Sequence, residues 1–134
     1  MADEIRVAIR TDADVVTARQ EARTMGADLG FSSTDLTLLA TAISEVARNV
    51  TTYAGEGQVE LRVVHERGRS GIEVICSDDG PGIADVERAM QDGYTTGNGL
   101  GLGLPGTRRL VDEFDLQTAS GEGTRIRLVK WTRA

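Results

Sequence analysis

Two runs that alternate with period two, QVELRVVHE at 58–66 and GIEVICS at 71–77, stand side by side in the chain. Apolar residues at every second position predict half-buried strands. The short charged turn RGRSG between them leaves no room for a crossover, so the two must pair antiparallel as a hairpin. Everything else has to pack around that hairpin. EIRVAIR at 4–10 alternates Ile5, Val7 and Ile9 with Arg6, Ala8 and Arg10 and reads as a further strand. DLQTA and TRIRLVKW, joined by SGEG, read as two closing strands.

Between these strands the period changes to that of a helix. From Asp14 onward Val15, Ala18, Ala22, Met25 and Leu29 recur at helical spacing, with Gly30 able to cap the end. In SSTDLTLLATAISEVARNVTTYAGEG, Ser33 or Thr34 suits the N-cap, Asp35 the first turn, and Gly55 follows the last periodic residue. A short amphipathic helix is expected over ADVERAMQD, followed by the loop GYTTGNGLG and a helix over LPGTRRLVDEF that admits Pro105 in its first turn. Strand, two helices, two strands, two helices and two strands give an α/β (α+β) two-layer sandwich, with a mixed, mostly antiparallel sheet covered on one face by helices.

Composition narrows the function classes. The chain has 134 residues, enough for one domain spanning 1–134 with a real core. A net charge of −6 argues against a nucleic-acid partner, because phosphate backbones call for basic patches. No apolar run approaches bilayer length and the N-terminus lacks a signal-peptide pattern, so a cytoplasmic protein without membrane partners is expected. Cys76, alone in the apolar stretch IEVIC, reads as a buried structural thiol, and His65 as a solvated strand end.

Three stretches look chemical. On the second helix, with Leu39 set at zero, Leu36, Ile43, Val46 and Val50 fall within about 60° and form the core stripe, at about 100° per residue. Glu45 and Asn49 then lie at about 240° and 280°, one turn apart on the flank of that stripe. Asn49 offers a neutral oxygen to a hard cation and Glu45 can accept a proton. The same spacing also fits a polar flank in which Glu45 pairs with Arg48. The second stretch is DDGPGI at 78–83. Asp78 ends a strand, where a carboxylate can accept a hydrogen bond from an exocyclic amine, and Gly80 and Gly82 let a flat ring approach; an ordinary tight turn fits as well.

The third is NGLGLGLPG at 98–106, with four glycines in nine positions. GLGLPG formally matches G-x-G-x-x-G, but no strand immediately precedes it and no βαβ unit surrounds it, so the dinucleotide reading fails. No lysine follows the glycines, which excludes the P-loop. What remains is a glycine-rich loop that runs into a helix N-terminus, where free N–H groups attract phosphate, or a hinge for a lid.

Taken in order, E-x-x-x-N on a helix, D-x-G-x-G after a strand, G-x-G-x-G before a helix and G-x-G-T before the last strand form one set. The residues are Glu45, Asn49, Asp78, Gly80, Gly82, Gly99, Gly101, Gly103, Gly121, Gly123 and Thr124. The whole chain resembles the GHKL or Bergerat nucleotide-binding fold shared by gyrase B, Hsp90, histidine kinases and MutL. Within it, AISEVARNVTTYAGEGQ, SDDGPGI, MQDGYTTGNGLGLGLPGTRRLVDEF and GEGTRIRLVKW resemble the small RsbT-type serine kinases that regulate sigma factors.

That resemblance implies roles. Asn49 would coordinate Mg²⁺ that bridges the ATP phosphates, and Glu45 would be the general base toward a serine hydroxyl. Asp78 would accept the adenine amino group with Thr124 in support, and Gly80 and Gly82 would shape the pocket. Gly99, Gly101 and Gly103 would cradle the phosphates within a lid at about 91–104, with Arg108 and Arg109 as further candidates for phosphate charge. The implied acceptor is a serine, or less often a threonine, of a STAS-domain antagonist of the RsbS kind within a stressosome. Once released, the kinase would activate a PP2C-type phosphatase of the RsbU kind. An anti-sigma factor of the RsbW or SpoIIAB type, which binds a sigma factor directly, is the alternative, and a non-catalytic binding module a third. Histidine kinases are set aside because the chain has no phosphoacceptor helix, only His65.

Overall fold

The computed structural model describes residues 4–82 and 103–132. β1 (Glu4–Ile9) turns through Thr11 into α1 (Asp12–Leu29). Thr11 and Asp14 form a reciprocal capping box, so the helix starts two residues earlier than its apolar periodicity indicates. Gly30, at φ 89°, ends it in the left-handed conformation. α2 (Ser33–Asn49) is capped by Ser32 rather than by Ser33 or Thr34. Ser32 keeps an extended backbone and its Oγ accepts the Asp35 N–H at 3.1 Å, so the two residues expected as caps are already helical. The chain then widens into a five-residue π-turn, Val50–Ala54, that ends at Gly55.

β2 (Gly57–Glu66) and β3 (Arg69–Asp78) form the expected antiparallel hairpin. Its turn is tighter than RGRSG suggests. Only Arg67 and Gly68 lie in it, at φ 52° and 79°, while Arg69 and Ser70 pair with Glu66 and His65. Two consecutive left-handed residues match the twist of the flanking strands. α3 (Gly103–Leu110), β4 (Glu113–Thr118) and β5 (Thr124–Trp131) complete the described elements. α3 stops four residues short of the expected Phe114. The Asp112 N–H bonds the Val129 carbonyl at 2.9 Å, and its carboxylate takes the Trp131 N–H at 2.7 Å. Glu113 and Phe114 are thereby drawn into β4. The helix expected at 84–92 and the loop at 93–101 lie outside the described residues.

The strands form one sheet in the order β1-β2-β3-β5-β4, and every ladder among them is antiparallel. Alternation decides the layers. Ile9, Val59, Leu61, Ile72, Val74, Cys76, Ile126 and Leu128 turn to the helical side and meet Val15, Ala18, Ala22, Met25, Leu39, Ile43 and Val46 in one core. The opposite sheet face carries Arg62, Glu73, Arg127 and Glu113, in which the buried Glu73 is held by both arginines. The expected two-layer sandwich with helices on one face is what forms.

Candidate active site

The register fixes one end of the site. Asp78 is the last residue of β3 and pairs with Gly57 of β2 on one side and Thr124 of β5 on the other, with Thr118 of β4 beyond it. This row ends the sheet on its helical side. Asp78 Oδ1 accepts the Gly80 N–H at 2.9 Å. Burial pushes its carboxyl above the ordinary aspartate value; the Gly80 N–H draws it back, the neighbouring Asp79 charge raises it, and the Thr124 N–H lowers it.

A hydroxyl chain runs beside this carboxyl. Thr118 Oγ1 donates to the Gly123 carbonyl at 2.9 Å and lies 3.0 Å from Thr124 Oγ1. A hydroxyl has one hydrogen, and that of Thr118 is spent on a carbonyl, which can only accept. Thr124 must therefore donate to Thr118, which leaves the lone pairs of Thr124 Oγ1 as acceptors. Asp78 and Thr124 together form an acceptor surface suited to an amino group. They line an open cleft of about 390 Å³ with Thr118, Asp79, Glu122 and Arg125 among its walls. Thr118 was not foreseen as a site residue, although its place in the alternation Phe114, Leu116, Thr118 puts it on the inward face.

The turn after Asp78 is built on close approach. Gly82 has φ 73°, and a Cβ there would collide with the Ala119 carbonyl. The Pro81 carbonyl in turn accepts the Gly121 N–H at 2.6 Å, tying the two glycine-bearing turns together. A Cβ on Gly80 would stand 2.5 Å from Ala54 Cβ and 2.9 Å from its Cα. The turn thus rests directly on the end of the α2 π-turn.

α2 carries the other end. Glu45 is only 8% exposed, and Asn49 is half-buried one turn later. Arg48 Nη1 lies 3.3 Å from Glu45 Oε1, so the flank pairing considered from the sequence does form. The guanidinium is about one-third exposed, and such a pair holds its partner by no more than about 1 kcal/mol. Beneath this segment the Cys76 thiol contacts the Val46 carbonyl at 3.5 Å, and burial pushes it up to about 12, far from a reactive thiolate. The Asp78–Thr124 cleft does not include Glu45 or Asn49 in its walls.

Gly103 opens α3, whereas Gly99 and Gly101, with most of the expected lid at 91–104, lie outside the described residues. Arg108 and Arg109 are exposed in the last turn of α3, at the end where cations suit the helix dipole and away from its N-terminus. Among the described residues, no helix is long and apolar enough to cross a membrane.

Residues 9–130 match the histidine kinase-like ATPase domain family. Over 133 residues the chain is 48% identical to the serine/threonine-protein kinase RsbT of Bacillus subtilis, covering 99% of this chain and 100% of that protein. It is 32% identical over 120 residues to an anti-sigma F factor of Caldanaerobacter subterraneus, covering 85% of this chain and 82% of that protein. The fold matches a crystal structure of the RsbU and RsbW domains of a Mycobacterium tuberculosis protein with a TM-score of 0.67 at 20% identity. That match covers 99% of this chain and 34% of the other, and at this identity it concerns the fold alone. The chain therefore belongs to the histidine kinase-like ATPase family, on its RsbT-type serine/threonine-protein kinase branch.

Proposed function

We propose that the chain transfers the γ-phosphoryl group of ATP to a serine or threonine hydroxyl of a partner protein. The observation that carries this is the placement, one turn apart on α2, of two unlike groups, the nearly buried Glu45 carboxylate and the half-buried Asn49 carboxamide, in a chain that also carries the Asp78–Thr124 acceptor row. A purely nucleotide-binding module needs the acceptor row; it has no use for a base.

In this reading Asp78 and Thr124 accept from the adenine amino group, and Gly80 and Gly82 admit the ring. The resemblance assigns the phosphates to Gly99, Gly101 and Gly103. Glu45 takes the proton from the acceptor hydroxyl as its oxygen bonds to the γ-phosphorus, while the bond to the β-phosphate oxygen breaks and ADP leaves. Arg48 lies beside Glu45 and can hold the carboxylate in line for the incoming hydroxyl.

Asn49 fits a magnesium ion held mainly by substrate. Among the described residues, no group of three or more His, Cys, Asp or Glu forms a cage, and Mg²⁺ characteristically takes one or two protein oxygens plus phosphates and water. When bound, the ion would neutralise phosphate charge in the transition state.

By its likeness to RsbT, the acceptor is a serine of a STAS-domain antagonist of the RsbS kind within a stressosome, and the later partner a PP2C-type phosphatase of the RsbU kind. The compartment in this reading is the cytoplasm. Incubation with Mg-ATP and a serine-bearing STAS protein tests it: wild type yields phosphoserine and Glu45→Ala does not. Phosphate transfer undiminished in Glu45→Ala refutes the base, and none from wild type refutes the kinase reading. The 32% identity to an anti-sigma F factor supports one second reading, direct capture of a sigma factor. A stoichiometric complex with a sigma factor in a pull-down would favour it.

A further inference from the structure

Lys130 is the one charged residue that β5 sends inward. Along Ile126, Leu128 and Lys130 the strand alternates toward the helices, and the lysine side chain is only 4% exposed. Its Nζ donates to the Leu110 carbonyl at 3.0 Å and lies 3.8 Å from Asp35 Oδ1, whose side chain is 3% exposed. Leu110 is the last residue of α3, and Asp35 sits in the first turn of α2. One ammonium group therefore joins three elements.

Packing alone does not explain it. Lysine is almost never buried unless paired, and apolar residues of similar volume commonly replace a buried ion pair without loss of stability. What an apolar residue cannot do is bond a helix-end carbonyl that has no donor within its own helix. The pair fixes position.

What it positions follows from the helix lengths. α3 packs on α2, and its Leu104 and Thr107 are buried. With the last turn of α3 tied to the first turn of α2, the two run in opposite senses. α3 reaches back about 10 Å from Leu110 to Gly103, while α2 covers about 15 Å from Asp35 to Glu45, at about 1.5 Å per residue. The Gly103 end of α3 is thus carried toward Glu45 and Asn49.

We propose that Lys130 is a positioning residue for nucleotide phosphates: through Leu110 and Asp35 it aims the N-terminus of α3 at the end of α2 that bears Asn49. This rests on the ATP-binding reading above. Lys130 touches no substrate, and Asp78 and Thr124 lie at the opposite end of β5, so adenine recognition is independent of it.

The test is binding of Mg-ATP and of AMP, which lacks the β- and γ-phosphates, to wild type, Lys130→Met and the double variant Asp35→Asn/Lys130→Met. The double variant leaves no unpaired buried charge and keeps the experiment open if the single variant does not fold. ATP affinity is expected to fall about tenfold in both, AMP affinity to stay within twofold, and Lys130→Arg to restore part of the loss. Unchanged ATP binding in the variants, equal losses for ATP and AMP, or a double variant that fails to fold would each overturn the assignment. Wild type that binds no ATP overturns the nucleotide reading itself, a result separate from any of these.

Discussion

Replacing Asp78 by asparagine tests its proposed contact with adenine with the smallest change of shape. Oδ1 accepts the Gly80 N–H, so the amide oxygen of the new side chain takes that position and its NH₂ group takes the place of the other oxygen, on a residue that lines the cleft. A donor then meets the adenine amino group where an acceptor stood. Leaving one such group unsatisfied costs about 1–3 kcal/mol. The cleft is open and Thr124 still accepts, so the lower half of that range applies. About 1.4 kcal/mol is tenfold in affinity. ATP should therefore bind roughly tenfold more weakly by calorimetric titration, with the thermal midpoint nearly unchanged. GTP supplies the converse arm. Guanine presents a carbonyl where adenine presents the amine, so wild type rejects it and the Asp78→Asn variant narrows the preference. ATP affinity within twofold of wild type, or an unchanged ATP-to-GTP ratio, would refute the assignment of Asp78.

The same carboxyl predicts a pH dependence of known sign. Its native value lies above the 3.8 of an unperturbed aspartate, chiefly through burial. Between those two values the native chain holds the proton more often than the unfolded chain, so the Asp78 contribution to stability falls as pH rises through that window. ATP affinity should move in the opposite direction. Protonation turns an acceptor into a donor, so binding weakens as pH drops through the raised value. The Asp78→Asn variant removes both slopes, and melting curves and titrations taken across the acid range read them separately.

Three further outcomes are expected. Asn49→Ala should abolish Mg-ATP-dependent phosphorylation while circular dichroism and melting stay close to wild type, since the side chain is half-buried at a helix end; retained activity would remove its metal role. The Cys76 thiol should resist alkylation at pH 8 in the folded protein and react fully in guanidinium, because burial holds it near 12; rapid native labelling would contradict its place under Val46. Gly82→Ala should destabilise by about 1–3 kcal/mol in denaturant titration, since the new Cβ collides with the Ala119 carbonyl at a left-handed φ. An unchanged midpoint would mean that this turn yields freely.

Elements governed by short-range periodicity were legible in the sequence, as were their layers. Ile5, Val7 and Ile9, or Val59 and Leu61, alternate because water and core lie on opposite faces of a strand. Boundaries set by partners distant in sequence were not. Phe114 continues a helical pattern locally, yet the bonds of Asp112 to Val129 and Trp131 commit the chain to β4. The Ser32 cap depended on which of three adjacent hydroxyl residues kept an extended backbone. At the candidate site, the glycine turns beside Asp78 and Thr124 mark both residues in the sequence, and the ladder pairs them. Thr118 was missed because its role depends on a register that brings 118, 124 and 78 into one row. Lys130 was invisible for the same reason, since TRIRLVKW presents it as one more charge on an alternating strand.

In the proposed reading the adenine end and the metal end of the site are borne by different layers, and a contact without side-chain chemistry sets their spacing. Asp78 and Thr124 belong to the sheet; Glu45 and Asn49 belong to α2. Between them the π-turn Val50–Ala54 departs from α-helical spacing, a device that recurs at functional sites, and delivers Ala54 onto Gly80. Val50 meets the next strand at Gly57, where a Cβ would stand 2.8 Å from Val50 Cγ1 and 3.1 Å from Asp78 Cβ. Two glycines thus let helix and sheet close to backbone distance at the point where a nucleotide would have to span from acceptor row to carboxamide. Phosphoryl transfer depends chiefly on positioning, and misplacement of about 1 Å can cost about a hundredfold in rate. Gly80→Ala should accordingly impair phosphoryl transfer more than adenine binding, because the new Cβ would stand 2.5 Å from Ala54 Cβ but 3.1 Å from Asp78 Oδ1, so the π-turn must give way further than the carboxylate. Single-turnover rates compared with ATP affinity separate the two effects. Equal losses in both would show that the contact supports the pocket as a whole rather than its span.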